Sequence, residues 1–393
     1  MDLESFQRLL TPEGQRLLAK LPAYDGAQAL AVGTAARAAG HDDALVSVAL
    51  TQSRLRARAR AKFGQDAERL YFTPDGLEQA TRSLVAGHRA TRFAQAAPRR
   101  VADLGCGIGG DLPHLARAAR DGVLALDRDP LTVAVAVANA AALGLASRVE
   151  VRCADVADVD LSVVDAAFVD PARRHGSSRT FDPRAYSPPY SFVLDLAGRV
   201  PATGAKLAPG IPHDVLPVGA EAEWVSVAGD VVECALWFGS LAGAVARRAT
   251  LLPAGSTVTG DGLTRAPAGP VRRFLFEPDG AVIRAGLVAE VAQQLDGHLL
   301  DETIAYITSD RPEGSPFVTG YEVLDVLPFG LKRLRSLLRD RGVGRLTIKK
   351  RGSAIEPETL RRQLRLSGSA EATIVVTRIA GQPSVLVVEP LRG

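Results

Sequence analysis

The residues with the plainest chemical meaning lie together: Asp103-Leu104-Gly105-Cys106-Gly107-Ile108-Gly109. Glycines at alternate positions let a strand turn sharply and bring its backbone close to a ligand without a Cβ in the way. A helix expected just after them adds unpaired N–H groups and the positive end of a dipole. Asp127 comes 18 residues after Gly109, at the end of the next apolar run. A carboxylate there can accept hydrogen bonds from both hydroxyls of a ribose. Asp155 follows a third such run and Asp170 ends a fourth. Four acidic residues at the carboxyl ends of successive strands, around one cleft, describe a site for a nucleoside-bearing ligand. Gly105-x-Gly107-x-x-Gly110 also satisfies the dinucleotide fingerprint, so a nicotinamide or flavin ligand stays open here. Two features count against it. Asp103 sits two residues before the first glycine, where it suits an amino group and would repel a pyrophosphate. The dinucleotide scheme also has no need of Asp155 or of Asp170-Pro171.

Positioning these residues requires alternating strands and helices. Arg100–Leu104, Gly122–Asp127, Arg148–Cys153 and Asp165–Asp170 read as strands, and 111–120 and 131–143 as helices. Short apolar strands separated by helices of about a dozen residues argue for a parallel, doubly wound α/β sheet. Upstream, Ser5–Lys20, Ala27–Gly40 and Asp43–Lys62 carry apolar residues at helical spacing, and Thr11-Pro12 reads as a helix start. Arg54, Arg56, Arg58, Arg60 and Lys62, two apart, would scatter around a helix and read as a solvated face.

At Asp103–Gly109, Asp127, Asp155 and Asp170 the sequence resembles the class I S-adenosylmethionine-dependent methyltransferases, over about 150 residues. The resemblance implies that Asp103, Leu104, Gly105, Cys106, Gly107 and Gly109 hold the methionine part of S-adenosyl-L-methionine. It implies that Asp127 holds the ribose and that Asp155, with Val156, lies by the adenine. Family members acting on nucleobase amines carry Asp/Asn-Pro-Pro-aromatic after the fourth strand. Here Asp170-Pro171 match and Ala172-Arg173 depart. Asp170 and Pro171 are the expected catalytic pair, with Arg173 and Arg174 as substrate contacts, since a guanidinium plane can stack on a base. Ser187-Pro-Pro-Tyr190 fits the nucleobase pattern letter for letter but follows no expected strand, so it reads as a loop flanking the site. Residues 59–92 loosely resemble the segment before the core of trimethylguanosine synthase-like methyltransferases, which act on the N2 amine of guanine.

The C-terminal region points to a polyanion. Between Leu331 and Arg365 there are twelve Lys/Arg against three acids, in a chain of net charge only +3. Lys332, Arg335 and Arg339 share one helix face, and Lys349, Lys350 and Arg351 end a strand. Clustered cations in one small domain are the electrostatic footprint expected for nucleic acid. The region resembles the THUMP-like domain attached to some bacterial methyltransferases, which implies RNA binding, tRNA or rRNA.

Composition sets the outer bounds. The apolar content is 47%, no uncharged run is long enough to span a bilayer, and no basic n-region opens the chain. Three dispersed cysteines argue against disulfides and zinc, and fit a reducing cytoplasm. Metal-ligand spacing is absent. The expected architecture is a helical N-terminal region (1–92) and a Rossmann-like doubly wound α/β methyltransferase sheet (93–265). A small mixed α+β, ferredoxin-like segment (266–318) with a Pro278-Asp279-Gly280 hairpin turn comes next, then a basic THUMP-like α+β domain (319–393) ending in a hairpin at Gly381. RNA base methylation, with the guanine exocyclic amine favoured, is the leading reading. A methyltransferase for a protein or small molecule, or a non-catalytic RNA-binding protein on this core, stay open.

Overall fold

The computed structural model describes residues 1–172 and 186–391, and between them the backbone of 174–175 and 178–179. Two compact units form: residues 1–220 with 234–243, and residues 221–233 with 244–393.

The first unit begins with α1 (Leu3–Leu10), α2 (Pro12–Lys20), α3 (Ala29–Ala38), α4 (Asp43–Phe63), α5 (Pro74–Gln79) and α6 (Ser83–Ala96). Thr11 and Thr73 are N-caps with Pro in the first turn, each side chain accepting the N–H three residues on, from Gly14 and Gly76. The basic run on α4 is not simply a solvated face. Arg56 Nε donates to Leu70 O, and Lys62 Nζ donates to Leu77, Glu78 and Ala80 carbonyls at 2.7–2.9 Å. Lys62 thus caps the C-terminal end of α5, where helix carbonyls lack partners.

The alternating part follows: β1 (Arg100–Leu104), α7 (Leu112–Ala118), β2 (Gly122–Asp127), α8 (Pro130–Ala142), β3 (Val149–Cys153) and β4 (Ala166–Val169). Next come the two-residue strands β5 (Arg174–His175) and β6 (Ser178–Arg179), paired with each other, then α9 (Tyr190–Arg199) and β7 (Ala202–Leu207). Strands β7, β4, β1, β2 and β3 lie side by side and parallel, and the end of a later strand joins β7 antiparallel. The chain runs outward from β1 through β3, then returns to place β4 on the other side of β1. That reversal opens a crevice at the carboxyl ends of β1 and β4. Strands β1, β2 and β4 are buried almost throughout, as parallel strands covered on both faces must be. Phe93 of α6 locks this core edge-on against Phe168 and Trp237, centroids 6.4 and 6.1 Å away.

The second unit holds β8 (Glu221–Val227) and the start of β9 (Asp230–Trp237), then β10 (Arg247–Leu252) and β11 (Ser256–Gly260), in the order β11-β10-β8. It continues through β12 (Phe274–Pro278), α10 (Gly280–Ala285), α11 (Val288–Gln294), β13 (His298–Asp301), β14 (Ile304–Ser309) and β15 (Val318–Pro328). It ends with α12 (Leu331–Asp340), β16 (Val343–Lys350), α13 (Pro357–Leu364), β17 (Ala370–Ile379) and β18 (Gln382–Pro390). One sheet runs β13-β14-β12-β15-β18-β17-β16. Residues on both sides of 265 and 318 thus belong to one compact unit. β12, from the segment read as ferredoxin-like, completes its pairing with β15 of the next segment, which a strand's own alternation does not reveal. Pro278-Asp279-Gly280 is not a hairpin turn either. Asp279 caps α10, its carboxylate accepting Ala281 N–H at 2.8 Å. The hairpin at Gly381 does form, on Ala380 and Gly381, both with φ above zero, as a tight two-residue turn demands.

No helix among the described residues is long and apolar enough to cross a membrane.

A candidate cofactor site at the switch point

The crevice between β1 and β4 opens into a cavity of about 1100 Å³, lined by Asp103, Gly105–Ile108, Asp127, Asp155, Val156 and Asp170–Ala172. It exceeds the usual range for a small-molecule site, so a cofactor and an acceptor group can share it. The glycine loop turns as its composition predicts. Gly105, Gly107 and Gly109 all have φ above zero, at 84°, 54° and 83°. A Cβ on Gly107 would meet nothing within 4 Å, whereas one on Gly105 would lie 3.4 Å from Asp170 O. The N–H groups of Gly105 and Cys106 both donate to Leu126 O. Leu104 is buried at the end of β1, and the Cys106 thiol is buried, with its pKa pushed up by desolvation first.

Asn139 of α8 holds the loop from behind. Its amide donates to Ile108 O at 2.9 Å and Tyr71 O at 3.0 Å, and accepts Tyr71 N–H at 2.7 Å. Asn139→Ala would orphan these buried groups. A loss of about 2–3 kcal/mol is expected, read as a lower denaturation midpoint at unchanged m-value.

The carboxylates occupy distinct environments. Asp103 is 1% exposed, and its Oδ2 has no hydrogen-bond partner. Burial above all, then the Asp111 and Asp170 carboxylates, push its pKa well above the usual carboxylate range. Asp111 is answered by the buried Arg89, whose guanidinium lies 4.4 Å over the Phe168 ring. Asp127 accepts Gly107 N–H on one oxygen and Asp129 N–H on the other, both at 3.0 Å, leaving each oxygen free lone pairs. Asp155, exposed, accepts Ala157 N–H at 3.0 Å beside half-buried Val156.

Asp170 has a partner that sequence reasoning missed. Lys206 of β7 places Nζ 2.5 Å from Asp170 Oδ2 and 3.2 Å from Thr81 Oγ1. A lysine in a buried strand could have been flagged, since an unpaired one there would be costly. The Ser187–Tyr190 segment is nearer the site than a flanking loop. Ala172 and Ser187 exchange backbone hydrogen bonds at 2.8 and 3.0 Å, and Ser187, Pro188 and Pro189 line the cavity. Tyr190 offers no stacking surface: it opens α9, buried, and donates to Val215 O at 3.0 Å. Among the described residues the aromatic lining the cavity is Phe192, two residues on, which the sequence pattern did not single out. Arg173 lies outside the described residues, and of Arg174 only the backbone is described.

The strand cations of the second unit are not a free basic face. Lys349 Nζ sits 2.6 Å from Glu277, which Arg351 also approaches at 3.5 Å, and Lys350 pairs with Glu356 at 2.6 Å. The sheet curls until Ala380 N–H donates to Leu300 O, bringing β16 within reach of β12. Desolvation works against the charge of Lys349, but its hydrogen bonds to Glu277 and Tyr321 prevail and carry its pKa upward. The helix cations differ. Lys332, Arg333, Arg335, Arg339, Arg362 and Arg365 have no carboxylate within ion-pair distance among the described residues. Arg335, Arg362 and Arg365 line a groove of about 550 Å³ with Leu331, Thr359 and Gln363.

These residues fit S-adenosylmethionine. The orphaned buried carboxylate of Asp103 suits its ammonium, the free lone pairs of Asp127 suit its ribose, and the bare Gly107 lets backbone approach. Comparison with known proteins agrees. The family described as a methyltransferase domain matches residues 101–174, and the one described as THUMP domain-like matches 318–390. A domain of unknown function matches residues 2–59. Two sequences from Mycobacterium tuberculosis strains, each described as an uncharacterized S-adenosylmethionine-dependent methyltransferase, are 39% identical over 339 residues, covering 83% of this chain and 90% of theirs. A crystal structure of a protein from Porphyromonas gingivalis W83, assigned as a methyltransferase, covers 94% of this chain and 100% of its own. Its TM-score is 0.74 at 21% identity, a likeness of fold. On its crevice geometry and its kinship with these relatives, the chain belongs to the S-adenosylmethionine-dependent methyltransferases.

Proposed function

We propose that the chain methylates an amino group of an RNA base, with the exocyclic amine of guanine as the favoured target. The observation that carries the RNA reading is the set of six cations on and just after α12 and α13 in the THUMP-like region that pair with no carboxylate among the described residues. Free cations are what a phosphate backbone recruits, by releasing the counterions that surround it. Asp170 and Phe192 support the base reading: a carboxylate able to accept an amine hydrogen, and an aromatic wall, in the same cavity.

Bound S-adenosylmethionine would supply a methyl group made electrophilic by its sulfonium. Asp103 would hold the ammonium, Asp127 the ribose, and Asp155 with Val156 the adenine edge, while the Gly105–Gly109 loop would lie along the methionine part. Asp170 would accept a hydrogen bond from the acceptor amine, and the Pro171 carbonyl, also in the cavity lining, would take its other hydrogen. An amine so held presents its lone pair in line, and alignment is most of what such a transfer needs.

One observation favours a second reading. Nine acidic side chains and two basic ones, Arg128 and Lys206, line the cavity among the described residues. An interior so acidic also suits a cationic amine from a protein or small molecule, with neutral bases admitted and phosphates kept outside.

Tritium transfer from labelled S-adenosylmethionine separates the two. Ribonuclease-sensitive label in tRNA or rRNA, recovered as a methylated guanine nucleoside and lost in Asp170→Ala, is the expected result. Label only in protein or free amines would move the substrate to the second reading. In RNA-binding titrations, alanine at Lys332, Arg333, Arg362 and Arg365 should lower the salt slope by about 0.7 for each phosphate no longer neutralised. Substitution of Lys349 and Arg351, already committed to Glu277, should leave it nearly unchanged.

A further inference from the structure

Lys206 has no part in the family motif as read from the sequence, yet it is built into the same crevice. Strands β4 and β7 run parallel with Val169 opposite Ala205, so the next pair in register is Asp170 and Lys206. Side chains at paired positions of parallel strands point to the same side, and Lys206 Nζ meets Asp170 Oδ2 at 2.5 Å. The lysine is 9% exposed, so water screens the pair poorly. Its ammonium also donates to Thr81 Oγ1, which follows the α5 turn that Lys62 clamps through three carbonyls. Lys206 is therefore held from two sides.

The charges around the crevice then balance in a particular way. Five carboxylates, Asp103, Asp111, Asp127, Asp155 and Asp170, line it at the strand ends and the loop. Arg89 cancels Asp111 and Lys206 cancels Asp170. Asp103, Asp127 and the exposed Asp155 have no basic partner among the described residues, and these are the three proposed to face the cofactor's ammonium, ribose and adenine. Asp170, proposed to face the acceptor, stays neutral as a pair and keeps Oδ1 for a hydrogen bond.

We propose that Lys206 is a positioning residue for methyl transfer: it fixes the Asp170 carboxylate for the acceptor and cancels its charge beside the cofactor. Without Lys206, the Asp170 carboxylate would attract a sulfonium, holding the cofactor's charged form more tightly than its uncharged product. The role rests on the assignment of Asp170 to the acceptor side of the site and is independent of whether the acceptor is RNA.

The test is the ratio of affinities for S-adenosylmethionine and S-adenosylhomocysteine, which differ in the sulfonium charge. Both are titrated by calorimetry into the full chain and four variants. Lys206→Met should raise the preference for the sulfonium about tenfold, and Asp170→Asn, leaving Lys206 unpaired, should lower it about tenfold. The double variant should return near the parent ratio, and Lys206→Arg should keep it. A merely structural role would weaken both ligands equally and leave the ratio alone. Equal ratios in all proteins would overturn the proposal. If Lys206→Met fails to fold, Asp170→Asn and the neutral double variant still decide it. Failure of the parent protein to bind either ligand would instead overturn the cofactor site itself.

Discussion

Asparagine at Asp103 is expected to weaken S-adenosylmethionine binding about a hundredfold or more while making the empty protein more stable. The side chain is buried, its Oδ2 is unpaired, and the carboxylates of Asp111 and Asp170 stand nearby. Alone it is a cost to the fold, and with an ammonium against it, a desolvated charge pair. Removing one member of such a pair typically forfeits about 3–5 kcal/mol, about two to nearly four powers of ten in affinity. The pH dependence follows from the direction of the shift. Burial and like charge raise the Asp103 pKa in the folded state above its unfolded value. The stability this group contributes is complete below the ordinary carboxylate range and is lost as pH rises through the raised value. The melting-temperature gain of Asp103→Asn over the parent should therefore be small in acid and widen toward neutrality. Calorimetry with both proteins, and melts across that pH window, check both halves. An unchanged affinity would remove Asp103 from the cofactor site.

Methionine at Arg89 should be the most disruptive single change in the crevice. Arg89 is 1% exposed and ion-paired with Asp111, and its guanidinium covers the Phe168 ring. Methionine can fill much of the volume but leaves Asp111 uncompensated, which costs about 3–5 kcal/mol for a buried pair. Asp103 would suffer as well, because the Arg89 charge lowers its pKa against burial and the Asp111, Asp170 and Asp127 carboxylates, which raise it. Cofactor affinity should then fall along with stability. Arg89→Met with Asp111→Asn removes both charges and should recover most of the loss in chemical denaturation. Failure of the double variant to recover would mean that packing on Phe168, and not the buried charge, dominates.

The glycine loop and strand-end carboxylates that line the crevice were legible in the sequence because they are local. Asp103–Gly109 is one strand end and one turn, and Asp127 and Asp155 are the ends of the next strands, so short-range patterning placed them all. The left-handed backbone at Gly105, Gly107 and Gly109 is a property of those residues themselves, which only glycine adopts without strain. The Thr11 helix start and the tight turn at Gly381 were legible for the same reason.

Tertiary structure decided whatever depends on partners distant in sequence. Lys206 lies 36 residues from Asp170 and meets it only because β7 pairs with β4 in one register. Phe192 reaches the cavity because the backbone of Ser187 pairs with Ala172, while the letter-perfect Tyr190 turns away to Val215. Lys349 and Arg351 resemble free cations until the sheet curls and delivers Glu277. Charge count along a chain measures supply, and only the fold decides which charges are neutralised, since an ion pair needs proximity that sequence spacing does not encode. By itself the sequence determined the glycine loop, the order of strands and helices around it and the basic character of the C-terminal region. The fold alone decided which carboxylates stay uncompensated and which cations remain free, because both depend on strand register and sheet curvature.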